Sequence, residues 1–236
     1  NLHTALLTGV GEPTLHPSLI NDYLINLNNH DAFPIVELQT NGILLQYDGY
    51  NGYLQEWKDN GLNTICLSAA SIYQKINQSI YSRHYPDLSI LIKKLKIFGY
   101  SVRLTIMMLN NYCDGPEIVN DIIKFCKINC VDQLTFRPVV ISYNKNEEIK
   151  NWTINNTLKK SQLKRIVKFV ERNSFKILEL PYGAIVYGFK TDFGEQNVCL
   201  SNCLTETKNS DEIRQLICWP DGRIGYSWQH ESAIIM

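Results

Sequence analysis

The chain has 236 residues, of which 44% are hydrophobic, and this is enough for one large α/β domain with a full core. Lysine plus arginine and aspartate plus glutamate are balanced at 23 each, which argues against a general attraction to nucleic acid or to an acidic membrane surface. No apolar run reaches about 18 residues and no signal-peptide pattern opens the chain, so we expect a soluble, cytoplasmic protein without nucleic-acid or membrane partners.

The first residues suggest that a neighbouring segment is missing. The chain starts Asn1-Leu2-His3 without an initiator methionine and enters a core strand almost at once. A buried parallel strand needs a neighbour, because an open edge exposes unpaired backbone groups. We therefore expect a fragment that lacks an upstream β-strand, loop and helix.

Strand and helix patterns alternate through the first 140 residues. The strands are predicted at residues 5–7, 35–39, 64–68, 102–109 and 133–140, and the helices near residues 17–28, 54–58, 88–98 and 117–128. In the helical segments, apolar residues recur at three- and four-residue steps. Short connections between alternating elements predict parallel strands joined by right-handed crossovers, hence an open or closed α/β barrel.

The rest of the chain changes character after one more helix and strand. A helix is predicted at about residues 157–173 and a sixth strand at residues 175–180. Beyond them glycine, tyrosine and asparagine replace the crossover pattern, and the turn Pro220-Asp221-Gly222 indicates a β-hairpin of residues 213–219 and 223–228. We therefore divide the chain into a partial (β/α) barrel, residues 1–180, and a C-terminal appendage, residues 181–236.

A glycine-rich acidic turn, Gly9-Val10-Gly11-Glu12-Pro13, follows the first strand. It lies where α/β folds place their ligands, and two glycines let a small molecule approach the main chain closely. Glu12 adds a negative charge, so the turn favours a cationic guest such as an ammonium group over a phosphate. The alternative is a tight strand-to-helix turn with a buried or capping glutamate.

The longer string Gly9-x-Gly11-Glu12-Pro13-Thr14-Leu15-His16-Pro17 resembles the second-strand motif of radical S-adenosylmethionine (radical SAM) enzymes. The resemblance covers about residues 5–140, because polar residues also end the following strands in the family's order. It implies a partial (β/α) barrel of parallel strands. It also implies that Gly9, Gly11, Glu12 and Pro13 belong to the cofactor site, with Gly9, Gly11 and Glu12 at the methionine ammonium of S-adenosylmethionine (SAM).

Two further strand ends match the family and also have structural alternatives. Thr40 and Asn41, in the string Thr40-Asn41-Gly42, are similar to the family's third-strand ending, although Asn41 also suits a helix cap or an Asn-Gly turn. Ser68 ends the next strand, where the family often has a serine that reaches the methionine carboxylate. Ser68 could instead be a helix N-cap.

The last two strand ends resemble those of the radical SAM family more loosely. Asn110 follows the strand at residues 102–109, and the resemblance makes it a polar contact of the cofactor. Arg137 either faces the barrel mouth and binds a carboxylate, which the resemblance implies, or lies in a structural ion pair. Arg103 lies near the start of its strand, so we expect it on the opposite, structural rim.

The resemblance implies radical chemistry that this chain cannot perform alone. In the family a reduced 4Fe-4S cluster cleaves SAM to a 5′-deoxyadenosyl radical, which abstracts hydrogen from a substrate, here a small molecule or a peptide. Three cysteines in a Cys-x3-Cys-x2-Cys loop hold that cluster, and no such string precedes Gly9. We expect the ligands upstream of this chain, an inactive fragment, and a reductant such as flavodoxin or ferredoxin as partner.

The cysteines near the C-terminus are a separate candidate metal site. Seven cysteines without framework spacing indicate reduced thiols rather than a secreted disulfide scaffold. Cys199, Cys203 and Cys218 could hold an auxiliary cluster, as in some relatives, or zinc. The alternative is that they are unpaired thiols packed as small hydrophobic residues.

Two other functions remain open from the sequence. The first is a barrel of the same descent that binds a ligand or partner without radical chemistry. The second is an unrelated aldolase-like barrel, which predicts a Schiff-base lysine or a metal-binding His/Asp set at the strand ends. No lysine lies at any predicted strand end.

Overall fold

The computed structural model describes residues 4–9, 11–30, 33–140, 146–180, 184–201, 215–219, 221–226 and 234–235. The strands in this part of the chain are β1 Thr4–Leu7, β2 Ile35–Thr40, β3 Thr64–Ala69, β4 Ser101–Met108, β5 Gln133–Pro138, β6 Ser174–Glu179, β7 Ile185–Thr191, β8 Gly194–Leu200, β9 Ile217–Cys218 and β10 Ile224–Gly225. The α-helices are α1 Pro17–Asn29, α2 Asn51–Asp59, α3 Gln74–Ile80, α4 Leu88–Ile97, α5 Pro116–Ile128, α6 Glu147–Asn156 and α7 Lys160–Asn173.

Eight of the strands form one mostly parallel sheet in the order β1-β2-β3-β4-β5-β8-β7-β6. From β1 to β5 each strand pairs in parallel with the next strand of the chain. Helices α1, α2, α4 and α5 lie in the connections between these strands. The predicted fold class, an α/β partial barrel of parallel strands, is confirmed.

The two faces of this sheet differ in chemistry. Leu67, Leu104 and Leu134 are aligned on β3, β4 and β5 and are fully buried in one core with residues of α4 and α5. Because successive residues of a strand point to opposite faces, the intervening residues form the other face. That second face, which we call the polar face, carries Glu37, Gln39, Cys66, Ser68, Arg103, Thr105, Met107, Gln133, Thr135, Arg137 and Cys199.

Local sequence signals begin the two helices that cover the centre of the sheet. Asp87 precedes α4, and its carboxylate accepts hydrogen bonds from the N–H groups of Ser89 at 2.8 Å and Ile90 at 3.2 Å. Such a cap satisfies donors that have no partner within the helix. Helix α5 begins with Pro116 after Gly115, where the missing proline N–H costs nothing.

The sheet continues past residue 180, where the sequence predicts the end of the barrel. The predicted sixth strand forms as β6, but it lies at the far edge and is antiparallel to β7. Strand β8 lies beside β5 in parallel, and β7 and β8 form an antiparallel pair. Residues 185–200 of the predicted appendage are thus part of the main sheet. Their side chains also contribute to its core, where Val198 and Phe189 are buried.

The predicted C-terminal hairpin is also present. Strands β9 and β10 pair antiparallel in a separate two-stranded sheet, and the Trp219 N–H donates to the Arg223 carbonyl oxygen at 2.9 Å. Gly222 adopts a φ of 91°, which favours glycine. Among the described residues, none of the helices has the length and apolar character needed to span a bilayer.

Candidate cofactor site at the strand ends

The turn after β1 is built around the side chain of Glu12. Residues Pro13–Leu15 form a short 3-10 helix, and Glu12 caps its amino end. The Oε1 atom of Glu12 accepts hydrogen bonds from the Thr14 N–H at 3.0 Å and from the Thr14 hydroxyl at 2.7 Å. The capping role that the sequence left open is therefore realised, and the carboxylate turns back toward the protein.

The same carboxylate joins the ends of β1 and β2. Thr40, the last residue of β2, donates its hydroxyl to Glu12 Oε1 at 2.6 Å, and the Asn41 N–H donates to Glu12 Oε2 at 2.9 Å. Thr14 and Thr40 are buried, with 0% and 3% of their surface exposed. We call the set formed by Glu12, Thr14, Thr40 and the Asn41 N–H the carboxylate clamp, because it holds two neighbouring strand ends together.

The turn after β2 is fixed by local hydrogen bonds. Asn41 Oδ1 accepts from the Ile43 N–H at 2.9 Å, and Thr40 Oγ1 accepts from the Gly42 N–H at 3.0 Å. Gly42 has a φ of 75°, and a Cβ at this position would lie 2.7 Å from Leu91 Cδ2. The Asn-Gly turn proposed for Asn41 is thus formed. Within the described residues, the Nδ2 atom of Asn41 has no hydrogen-bond partner.

Ser68 lies near the end of β3 and does not cap a helix. The next helix, α3, begins after Tyr73, so the N-cap alternative is not realised. The Tyr85 hydroxyl donates to the Ser68 carbonyl oxygen at 2.8 Å, whereas Ser68 Oγ makes no hydrogen bond to any other described residue. This half-buried hydroxyl is therefore available to donate to an anionic oxygen.

Asn110, after β4, is anchored to the segment that carries α7. Its N–H donates to the Asn156 carbonyl oxygen at 2.8 Å, and its Oδ1 accepts from Gln162 Nε2 at 3.0 Å. Gln162 Nε2 also donates to Asp114 at 3.2 Å. The only part of the Asn110 side chain without a partner in the described chain is its Nδ2 atom.

The two arginines of the central strands have different roles. Arg137, on β5, is exposed and forms no ion pair with the other described residues. Arg103 instead pairs with Glu37, with 2.8 Å between Nη1 and Oε2. Because Arg103 is aligned with Gln133, the first residue of β5, this pair lies toward the amino ends of the strands. The structural ion pair thus involves Arg103, and Arg137 remains available for a ligand.

The sequence predictions missed a polar network beneath these strand ends. Glu37 is fully buried, and its Oε1 atom accepts from Gln39 Nε2 at 3.0 Å. Arg103 Nε donates to Gln133 Oε1 at 2.7 Å, while the contact of Arg103 with Glu37 Oε2 is close but poorly aligned as a hydrogen bond. These contacts join β2, β4 and β5, so the group forms a floor for the polar face.

A buried thiol lies at the level of this floor, because Cys66 is aligned with Gln39 on β2 and with Arg103 on β4. Cys66 Sγ lies 3.3 Å from Thr105 Oγ1. Burial raises the pKa of the Cys66 thiol to about 11, and the negative charge of Glu37 adds to this effect, although Arg103 and Arg137 act against it. By strand register, Arg137 lies on the same face of the sheet, four residues beyond Gln133 on β5.

The alternation of residue types along the strands is a sequence signal that could have predicted the polar face. Polar or small residues recur at every second position, as in Glu37/Gln39 and Arg103/Thr105. Parallel strands that are covered by helices on both faces are instead almost continuously apolar. Alternation in parallel strands therefore indicates that one face lines a polar interior.

The predicted cysteine site remains a prediction. Cys199 lies on β8 and is buried, Cys218 lies on β9 and is exposed, and Cys203 is outside the described residues. Burial raises the pKa of the Cys199 thiol, although the charge of Arg103 opposes this. Within the described ranges no three His, Cys, Asp or Glu side chains are grouped as metal ligands.

The strand ends fit the amino-acid end of SAM better than they fit a cluster. Ser68 Oγ and the Arg137 guanidinium are donors without partners in the described chain, which suits a carboxylate. The carboxylate of Glu12 suits an ammonium group. No three thiols of the described chain are grouped as the ligands of an iron–sulfur cluster would be.

The fold is shared with solved structures of low sequence identity. The chain has the radical SAM superfamily fold. It is similar to Streptococcus suis SuiB bound to S-adenosylmethionine, with 16% identity, a TM-score of 0.50 and coverage of 71% of this chain and 35% of SuiB. The chain thus spans about a third of that structure's length.

Two further comparisons involve lower TM-scores. SuiB bound to the precursor peptide SuiA is similar with 20% identity, a TM-score of 0.43 and coverage of 56% of this chain and 28% of SuiB. A domain of pyruvate-formate lyase-activating enzyme from Bacteroides vulgatus has 13% identity, a TM-score of 0.46 and coverage of 71% and 95%. No protein-family model matches the sequence, and no curated protein matches it.

Proposed function

We propose that this chain is the SAM-binding part of a radical SAM enzyme. The observation that carries the proposal is the set of polar groups at the carboxyl ends of adjacent parallel strands, β1 to β5, in a fold shared with a SAM-bound protein. Gly9, Gly11 and Glu12 hold the ammonium of SAM, and Pro13 shapes their turn. Ser68 and Arg137 hold the carboxylate.

Two other strand-end residues complete the proposed site. Asn41 and Asn110 each have an amide Nδ2 without a partner in the described chain, and these donors reach the remaining polar groups of SAM. Thr40 belongs to the site through its bond to Glu12. Parallel strands bring their carboxyl ends to one edge of a sheet, and this supports a shared site.

In this proposal, the chemistry is supplied by bound SAM and by an iron–sulfur cluster. SAM together with a reduced 4Fe-4S cluster supplies a 5′-deoxyadenosyl radical, which abstracts hydrogen from a small-molecule or peptide substrate. We propose that the cluster ligands lie outside this sequence, since no Cys-x3-Cys-x2-Cys string occurs in it. A flavodoxin- or ferredoxin-like protein is the proposed reductant. Cys199, Cys203 and Cys218 remain candidates for an auxiliary metal site.

A second candidate function is a barrel that binds a ligand or partner without radical chemistry. In this candidate the whole protein lacks the three-cysteine string, as the present sequence does. The two candidates share the strand-end site and differ in the cluster. Iron and sulfide content of the full-length protein after anaerobic reconstitution separates them, because a non-catalytic barrel takes up no 4Fe-4S cluster.

SAM binding by the chain itself tests the proposed site. Titration calorimetry of Arg137→Ala should show at least tenfold weaker SAM binding than wild type, because a charge-assisted hydrogen bond to the carboxylate is lost. Arg172→Ala is the matched control, since Arg172 is an exposed arginine on α7. Absence of SAM binding by wild type, or an equal loss in both variants, would contradict the proposal.

A further inference from the structure

We infer that Thr14 and Thr40 are positioning residues that leave a single oxygen of Glu12, Oε2, for the ammonium group of SAM; this rests on the proposed function. Oε1 accepts three hydrogen bonds, from the Thr14 N–H, the Thr14 hydroxyl and the Thr40 hydroxyl. Oε2 accepts one from the described residues, from the Asn41 N–H. A carboxylate oxygen has about two lone pairs, so Oε1 is saturated and Oε2 has one site left.

The direction of the Thr40 hydrogen bond is set by its surroundings. Thr40 Oγ1 accepts from the Gly42 N–H at 3.0 Å, so its own hydrogen points away from that donor and toward Glu12 at 2.6 Å. The hydroxyl therefore has no donor left for a ligand. Thr40 acts on SAM through Glu12 and does not contact the cofactor through its hydroxyl.

A third segment fixes the other side of the carboxylate clamp. The Tyr50 hydroxyl donates to the Thr14 carbonyl oxygen at 2.9 Å. Burial raises the pKa of Tyr50, and the nearby Tyr53 and Glu12 add to this, so the phenol stays protonated and remains a donor. The turn after β1 is thus held by the end of β2 and by the segment before α2, which presets the direction of Oε2.

Binding of two ligands by one set of variants tests the inference. Thr14→Val and Thr40→Val remove a hydroxyl at nearly constant volume, and Thr40→Ser keeps it. By titration calorimetry, we expect about tenfold weaker SAM binding in both valine variants and wild-type binding in Thr40→Ser. Affinity for 5′-methylthioadenosine, which lacks the amino-acid end, should not change. The control is Thr64→Val, which removes a hydroxyl at the amino end of β3, away from the strand ends that form the proposed site.

Amide exchange supplies a readout that needs no ligand. The Asn41 N–H is bonded to Glu12 Oε2, so Thr40→Val should accelerate its hydrogen exchange about tenfold, measured by NMR, while Thr64→Val should not. Thr40→Ser should restore slow exchange.

The possible failures can be told apart. Weaker binding of both ligands in the valine variants would show that the hydroxyls only maintain the fold, which overturns the inference. Unchanged SAM affinity in these variants overturns it as well. A wild-type chain that binds neither ligand overturns the proposed function, whereas unchanged Asn41 exchange in Thr40→Val overturns the carboxylate clamp itself.

Discussion

The ends of β1 and β2 use their polar groups differently from the end of β5. In the carboxylate clamp, Glu12 receives hydrogen bonds of 2.6–3.0 Å from Thr14, Thr40 and Asn41. Arg137, in contrast, is exposed and has no ion pair with other described residues. The first region is held by its own hydrogen bonds, whereas the charge of the second has no ion-pair partner in the described part of the chain.

The contrast follows from the reach of the side chains. Short Thr, Asn and Glu side chains bond to nearby backbone N–H groups and so build their own turns. The Arg137 side chain lies on a strand and has no such local partner among the described residues. Its five N–H donors are therefore available to a ligand. We therefore expect changes at the carboxylate clamp to lower folding stability, and changes at Arg137 to lower ligand affinity alone.

The largest effect is expected from Gly42→Ala in the turn after β2. Its φ of 75° strains any side chain, and the added Cβ would lie within 2.7 Å of Leu91 and 2.9 Å of Leu67. Left-handed strain and overpacking together should reduce the free energy of unfolding by about 3 kcal/mol, measured by urea denaturation.

Gly52→Ala is the matched control for this change. Gly52 lies in α2, and a Cβ there would have no atom within 4 Å. It should stabilise the protein by up to about 1 kcal/mol through helix propensity. Similar destabilisation by both variants would show that the turn after β2 is not tightly packed.

An intermediate effect is expected from Glu12→Ala. It leaves the Thr14 and Asn41 N–H groups without their acceptor, so unfolding should become easier by about 2 kcal/mol. Arg137→Ala should change the unfolding free energy by less than about 0.5 kcal/mol, because an exposed and unpaired side chain contributes little. Equal losses of stability in the two variants would remove the distinction between the two regions.

A smaller effect than that of Glu12→Ala is expected at Asp87, the cap of α4, whose Leu91 lies against Gly42. Asp87→Ala should cost about 1 kcal/mol at pH 7. The hydrogen bond from the Ser89 side chain, together with the N–H groups of Ser89 and Ile90, lowers the pKa of Asp87 below 3.8. The charge-dependent stabilisation is therefore present above about pH 4 and is lost as the pH falls through the lower folded-state pKa.

Denaturation at several pH values checks this prediction. The difference in unfolding free energy between wild type and Asp87→Ala should shrink between about pH 4 and pH 2. Asp87→Asn keeps a capping oxygen without the charge, so its difference from Asp87→Ala should stay constant with pH. A difference between wild type and Asp87→Ala that grows on acidification would contradict the assigned role of the carboxylate.

Much of the sheet could be predicted from the sequence. The strands β1 to β5 appear within a few residues of their predicted positions, because alternating strand and helix patterns are local signals. The position of β8 beside β5 could not be predicted in this way. It depends on which distant segment covers the β5 edge, and the antiparallel pair of β7 and β8 satisfies that edge by a long-range pairing.

The candidate site shows the same division. The residue types at the strand ends, such as Glu12, Ser68 and Arg137, were visible in the sequence because each follows or ends a predicted strand. The pairing of Arg103 with Glu37 joins β4 to β2, which are separated by β3. An ion pair between distant strands leaves no pattern in the local sequence. The role of Glu37 was therefore not predicted.

The sequence by itself determined the order of the elements, the parallel central strands and the polar character of their ends, because hydrophobic periodicity and turn chemistry act over a few residues. Only the tertiary structure decided that Thr14 and Thr40 share one oxygen of Glu12 and that Arg137 forms no ion pair with the other described residues. Thr40 is 28 residues from Glu12 in the chain, and only the register of β1 against β2 brings the two side chains within hydrogen-bonding distance.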